Sequence, residues 1–249
     1  MNFCVIAPAV ALQTYATLSK RHLVLSHVRN AVYREFYRLR REAGDLLILD
    51  NGAYENRLNE DELVETIKFY NPQVVVLPDI LLGDAHESLQ RGFEFFVKWR
   101  HRIDVEWMFV PQAPVDMLHD FMSYLVKGID MIEPKWVGLP RALGTDIAVG
   151  NVRADVCSFV RRTYPGTYVH ALGMVDGDVG ELRSLRDASC DSIDSSAPVW
   201  RGWRGFSIDD DRWHGLGSSC NFNAAPCAAK FERLIESNLK KCGVRSGND

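Results

Sequence analysis

No stretch of this 249-residue chain approaches the roughly 18–20 consecutive apolar residues that a membrane-spanning helix requires. The opening residues, Met1-Asn2-Phe3-Cys4-Val5, carry neither the charged segment nor the long apolar run of a secretory signal, so a cytoplasmic protein is expected. Cysteine is sparse: six residues lie scattered, a pattern that favours reduced thiols over a disulfide framework. Positive charge is not in excess either. The formal net charge of −4 argues against a continuous nucleic-acid-binding coat, although a local basic footprint depends on where Lys and Arg sit. No proline-rich or low-complexity linker and no internal repeat divides the chain, so one domain over 1–249 is expected. No glycine-rich phosphate loop follows the first apolar run, which counts against a doubly wound nucleotide-binding sheet.

What the chain does have is alternation. Short β-type runs at about 3–6, 23–26, 45–49, 74–77, 106–110, 135–138, 167–171 and 190–193 are separated by stretches of helical period. Helices are expected near 29–43, 60–70, 84–99, 115–127, 146–163, 177–187 and 225–241. Asn59 reads as the N-cap of the second, with Glu60, Asp61 and Glu62 at the positive end of its dipole, and Asn71-Pro72 as its stop. Eight βα units predict an α/β fold, a (β/α)₈ TIM barrel. Ala9–Ser19 is a poor helix, so an irregular first unit is expected.

In such a barrel the residues just past the strand ends converge on one pocket. Here those positions are Asp50-Asn51-Gly52, Asp79, Gln112, Gly138, Gly173 and Asp194. Two carboxylates suit glycosidic-bond chemistry, one attacking or shielding the anomeric carbon while the other manages the leaving-group proton; Asp194 and Asp50 are the candidates. The competing reading of Asp50-Asn51-Gly52 is a turn whose Asp caps backbone amides. Asp79 could accept hydrogen bonds from the N–H edge of a purine-like base, and Gln112 offers both a donor and an acceptor. The Gly138-Leu139 backbone could approach a planar ring closely. Tyr54 and Met174 could stack on it. His170 could orient Asp194 or move a proton, or simply be a packed, hydrogen-bonded histidine; His27 poses the same choice.

These segments, in this order, resemble the tRNA-guanine transglycosylase superfamily, and within it the shorter phage and bacterial DpdA-type enzymes that place 7-deazaguanines in DNA. Asp50-Asn51-Gly52-Ala53-Tyr54-Glu55 is similar to the family's Asp-Ser-Gly-Gly-Phe-Gln loop, whose Asp serves acid/base chemistry and substrate contact. Pro78-Asp79 resembles the segment whose Asp reads the base, Val110-Pro111-Gln112 the segment with the following Gln, and Val137-Gly138-Leu139 the backbone bordering the base pocket. His170-Ala171-Leu172-Gly173-Met174 resembles the Leu-Met-Gly-Val segment. Asp191-Ser192-Ile193-Asp194-Ser195-Ser196-Ala197-Pro198 resembles the stretch carrying the nucleophilic Asp. The likeness runs from about residue 45 to 205. It implies substrate contacts from Asn51, Gly52, Tyr54, Asp79, Gln112, Gly138, Leu139, His170, Gly173 and Met174, with Asp194 and Asp50 catalytic.

The departures shape the expected partner. Ser195-Ser196-Ala197-Pro198-Val199-Trp200 stands where the family has Cys-Val-x-Pro-Thr-Arg, so the contacts of that Thr and Arg do not carry over. The family's zinc module, Cys-x-Cys-x-x-Cys with a distant His, is missing; Cys220, Cys227, Cys242 and His214 lack its spacing, and no metal or other cofactor is implied. DNA is therefore the expected polymer, and a 7-deazaguanine such as preQ0 the small-molecule partner, in a host cytoplasm if the chain is phage-encoded. Dimerisation is left open. Trp200-Arg201-Gly202-Trp203-Arg204 interleaves aromatics and arginines, types that stack on bases and hold phosphates, or alternatively anchor the chain to the barrel. The run with Arg34, Arg38, Arg40 and Arg41 reads as a solvated basic helix face. Rival functions are exchange on tRNA, a nucleoside or glycoside hydrolase using the same carboxylates, and a non-catalytic base-binding barrel.

Overall fold

The computed structural model describes residues 1–148, 150, 152–175, 177–210, 221, 224 and 229–244. Eight strands alternate with helices: β1 (Asn2–Val5), α1 (Leu12–Tyr15), β2 (Arg21–Leu25), α2 (Ala31–Glu42), β3 (Leu46–Asp50), α3 (Glu60–Tyr70), β4 (Val74–Val76), α4 (Ala85–Trp99), β5 (Glu106–Phe109), α5 (Leu118–Ile132), β6 (Trp136–Pro140), α6 (Val152–Thr163), β7 (Tyr168–Leu172), α7 (Val179–Asp187), β8 (Ser192–Ser195), α8 (Ala197–Trp203) and α9 (Glu232–Lys241). The strands are parallel in the order β1-β8-β7-β6-β5-β4-β3-β2. This is a (β/α)₈ TIM barrel, nearly closed. β1 and β2 stand side by side but share no ladder of backbone hydrogen bonds. Between them α1 is a single turn flanked by two short 3₁₀ segments, the irregular entry that the poor helix pattern of Ala9–Ser19 predicts.

Local chemistry sets the helix boundaries. Asn30, Asn59 and Asp84 each accept a backbone N–H from the first turn of α2, α3 and α4. Asn71 ends α3 in the left-handed region at φ 45°, just before Pro72. α2 buries Tyr33, Phe36 and Tyr37 against the barrel. Its arginines are engaged within the chain: Arg38 pairs with Glu35 and Glu42, Arg40 with Asp45, Arg41 donates to the Asn71 carbonyl, and Arg34 lies 4.0 Å over the Phe69 ring. The basic run thus behaves as a helix face knitted to its neighbours.

The C-terminal region adds an element to the sequence reading. Ala197–Trp203, to which no helix is assigned from sequence, is the barrel's eighth helix, α8, with a proline in its first turn. α9 packs on it through the fully buried Asn238, whose amide donates to Pro198 O and Phe206 O and accepts from Ile208 N. Residues 225–228 of the last predicted helix lie outside the described residues, as do Cys220, Cys227 and His214. Cys4 and Cys157 are fully buried, as expected of core thiols. No helix among the described residues is long and apolar enough to cross a membrane.

One expected pocket contact lies deeper than the sequence suggested. Gly138 occupies the barrel interior: a Cβ built on it would meet Val110 Cγ2 at 2.8 Å, Leu172 Cδ1 at 3.0 Å and Met108 Sδ at 3.0 Å. Leu139 is fully buried on the alternate face of β6. β6 continues beyond them to Pro140, so both lie below its end rather than at the mouth. Gly138→Ala should therefore act as an overpacking mutation, lowering stability by about 1–3 kcal/mol in urea unfolding. A variant of unchanged stability would return Gly138 to the mouth.

Candidate active site

A cavity of about 410 Å³ opens at the C-terminal ends of the strands, within the size range of small-molecule sites. Five carboxylates line it: Asp50 at the end of β3 and Glu55 beyond it, Asp79 after β4, Asp146 after β6, and Asp194 on β8. Asn51, Tyr54, Gln112, Gly173 and Met174 line it too, so the structure gathers most of the predicted site into one pocket. From β6 the wall is formed by Pro140, Arg141 and Ala142 in place of Gly138 and Leu139. Gly52 and His170 stand behind the wall and act on the carboxylates rather than on the cavity.

Asp194 is held by one oxygen. Its Oδ1 accepts the Gly173 backbone N–H at 2.9 Å and faces His170 Nε2 at 3.1 Å, while His170 Nδ1 lies 2.8 Å from Ser192 Oγ. With Asp194 ionised, Nε2 carries the proton and donates, and Nδ1 accepts from the serine hydroxyl. His170 is fully buried, so it orients Asp194 without reaching the cavity. The other oxygen, Oδ2, takes no hydrogen bond from any described residue, which leaves it for a ligand.

Across the pocket, Asp79, Asn51 and Gln112 form a hydrogen-bonded array of two amides and a carboxylate. Asn51 Nδ2 donates to Asp79 Oδ1 at 2.6 Å and to Leu77 O at 2.7 Å, while Gln112 Nε2 donates to Asp79 Oδ2 at 2.6 Å. Burial pushes the Asp79 carboxyl up, opposed by the two amide donors. Each Asp79 oxygen keeps lone pairs beyond the one an amide occupies, so the array can still accept from a ligand's N–H edge.

Asp50 Oδ2 accepts the Gly52 N–H at 2.9 Å, the turn-capping bond that the sequence offered as the alternative to catalysis. The turn bond does not withdraw Asp50 from the pocket, since it also lines the cavity. Burial holds its carboxyl well above the usual range; Glu55 adds repulsion, the Gly52 N–H opposes the shift, and Asp79 and Asp194 add less. A carboxyl shifted upward keeps its proton to higher pH than an ordinary one, which suits a group that gives a proton and takes one back. Glu55, within the quoted loop but assigned no role from sequence, is also pushed up by burial. His27 Nδ1 lies 3.8 Å from Glu55 Oε2, and burial lowers the histidine's pKa with help from Arg57 and Arg29, favouring neutral imidazole.

The expected nucleic-acid contacts divide. Arg201 is 3% exposed and donates to the Ile208 carbonyl, and Trp200 is 6% exposed. These two anchor the segment after β8 and also line the cavity, so they face the pocket rather than an open surface. The sequence carried the signal: Val199, Trp200 and Trp203 fall at helical spacing behind Pro198, which places them on a packed face. Trp203 is half-buried, and Arg204 is exposed with its guanidinium 4.8 Å over the Trp200 ring. Tyr54, 54% exposed, stands at the rim. Among the described residues no group of three or more His, Cys, Asp or Glu side chains is placed to hold a metal ion.

No protein-family model matches the chain, and no curated protein matches it.

The crowding of carboxylates has a measurable consequence. A carboxyl whose pKa is higher folded than unfolded binds its proton more tightly in the native state. Asp50 therefore costs no stability below the ordinary carboxylate pKa and costs progressively more as pH rises toward its folded-state value. Asp50→Asn keeps an acceptor for Gly52 and removes that loss. Its melting temperature should exceed wild type by roughly 2–4 °C near neutral pH, with the gap closing at about pH 4. A gap that does not vary with pH would contradict this assignment.

Proposed function

We propose that this chain is a pentosyltransferase that exchanges guanine in DNA for a 7-deazaguanine base such as preQ0, through a covalent aspartyl intermediate. The observation that carries the reading is the asymmetric environment of Asp194: Oδ1 is fixed by the Gly173 N–H and His170, while Oδ2 is left to the cavity. A carboxylate held in this way is suited to attack, because its orientation is set before substrate arrives. In the proposed sequence Oδ2 bonds to C1′ of the target nucleotide as the C1′–N9 bond breaks, and Asp50 gives its proton to the departing guanine. The entering 7-deazaguanine then loses its N9 proton to Asp50, N9 bonds to C1′, and the ester bond breaks to free Asp194. The strand stays intact throughout, and the difficult displacement is divided into two easier ones.

The Asp79–Asn51–Gln112 array supports recognition of a purine-like edge, and both the leaving and entering bases present such an edge. A cavity of about 410 Å³ suits one base with its sugar but not a duplex. The nucleotide is therefore flipped out or offered in a single strand. DNA as the polymer rests on the sequence, which lacks the zinc-ligand spacing of the tRNA enzymes it otherwise resembles. Exposed Tyr54 supplies a stacking type at that opening, and Arg201 a guanidinium in the cavity wall.

Incubation with radiolabelled preQ0 or guanine and either DNA or tRNA tests the reading. Label is expected in DNA, with a denaturant-stable protein–DNA adduct that Asp194→Asn and Asp194→Ala abolish. Label in tRNA would move the activity to that polymer. Free guanine without incorporation would make the protein a hydrolase, and exchange retained by Asp194→Asn would remove the nucleophile.

A further inference from the structure

Arg153, in the first turn of α6, is 1% exposed and all its Nη hydrogens are committed. Nη2 donates to Leu139 O at 3.1 Å and Leu172 O at 3.2 Å; Nη1 donates to Gly173 O at 2.8 Å and to Glu181 Oε1 at 2.7 Å. The partner carboxylate is tied in turn, because Glu181 Oε2 accepts the Val175 N–H at 2.8 Å. One buried ion pair thus gathers the carbonyls at the ends of β6 and β7 and the loop that follows β7. No motif signals this role, since Arg153 sits in a helix whose pattern reads as an ordinary amphipathic face.

Leu172 O and Gly173 N belong to the same peptide unit. In a planar trans peptide the C=O and N–H point in opposite directions. A guanidinium that fixes where Leu172 O points therefore also fixes where the Gly173 N–H points, and that N–H is the donor to Asp194 Oδ1. Gly173 itself has φ +68°, so its backbone lacks the restraint that a side chain would add, and the aim depends on what grips its two flanking peptides. Arg153 grips both, through Leu172 O and Gly173 O. A cation bound to the carbonyl also polarises the peptide, strengthening the opposite N–H as a donor.

We propose that Arg153, locked by Glu181, is a positioning residue: it aims and strengthens the Gly173 N–H that holds Asp194 in its attacking orientation. This rests on the transglycosylase reading for its catalytic consequence, but not for its structural one. A lysine cannot substitute fully, because its point charge lacks the planar fork that reaches several carbonyls at once.

The test uses the full chain with Arg153→Lys and the double variant Arg153→Met/Glu181→Leu, which strands no buried charge. Melting curves establish folding, and the Gly173 amide is followed by NMR against pH. In wild type its proton shift should follow Asp194 ionisation. In either folded variant that dependence should weaken, hydrogen exchange at Gly173 should accelerate, and adduct formation should slow about 100-fold with base affinity unchanged. A folded variant with a wild-type Gly173 amide profile would overturn the proposal whatever its activity. If the double variant does not fold, Arg153→Lys decides alone. If wild type forms no adduct, the transglycosylase reading fails, while the amide profile still decides the role of Arg153.

Discussion

One carboxylate oxygen organises this molecule. Asp194 Oδ1 takes the Gly173 amide and the His170 ring, and these come from β7 and the loop beyond it while Asp194 comes from β8. Neither contact exists unless these two consecutive strands run parallel in one register, with His170 opposite Ser192. The same register places Ser192 Oγ against His170 Nδ1. A slip of one residue would turn Asp194 to the other face of its strand. Fold and site are therefore specified together at this seam of the sheet.

The site concentrates negative potential in a buried space. Five carboxylates share one pocket, and burial raises three of them, Asp50, Glu55 and Asp79. Asp194 differs in kind: it has an amide donor and a histidine on one oxygen. Different surroundings thus set chemically similar groups apart: Asp194 is fixed through one oxygen, while Asp50 is pushed upward by burial. The cost is a fold that tolerates several poorly solvated acids, offset by a barrel core that stays apolar below them.

Much of the architecture could be read from the residues. The eight β-type runs and the caps at Asn59 and Asp84 are local signals, so strand number and helix starts follow from pattern alone. The residues just past the strand ends were also legible, since barrel geometry sends them to one mouth, and Asp50, Asp79, Gln112 and Asp194 all line the cavity. What pattern could not supply was depth. Gly138 sits at the end of an apolar run as Asp79 does, yet β6 continues to Pro140 and leaves the glycine inside. Arginine–aromatic interleaving after Asp194 suggested a surface, whereas the helical turn begun by Pro198 folds Trp200 and Arg201 inward. Arg153 acts through backbone carbonyls, which no side-chain motif records.

The unladdered join between β1 and β2 gives the cylinder one compliant line. Parting these two strands breaks side-chain packing but no row of interstrand bonds, whereas parting any other neighbours breaks both. Ile6, just past β1, and Leu23 and Leu25, on β2, line the cavity from the two banks of this join. Asp194, Gly173 and His170 lie on the stitched arc beyond it. Asp194 on β8 and Asp50 on β3 stand one strand beyond either bank, so the spacing between these two carboxylates is set across the one line of the cylinder that no backbone ladder spans.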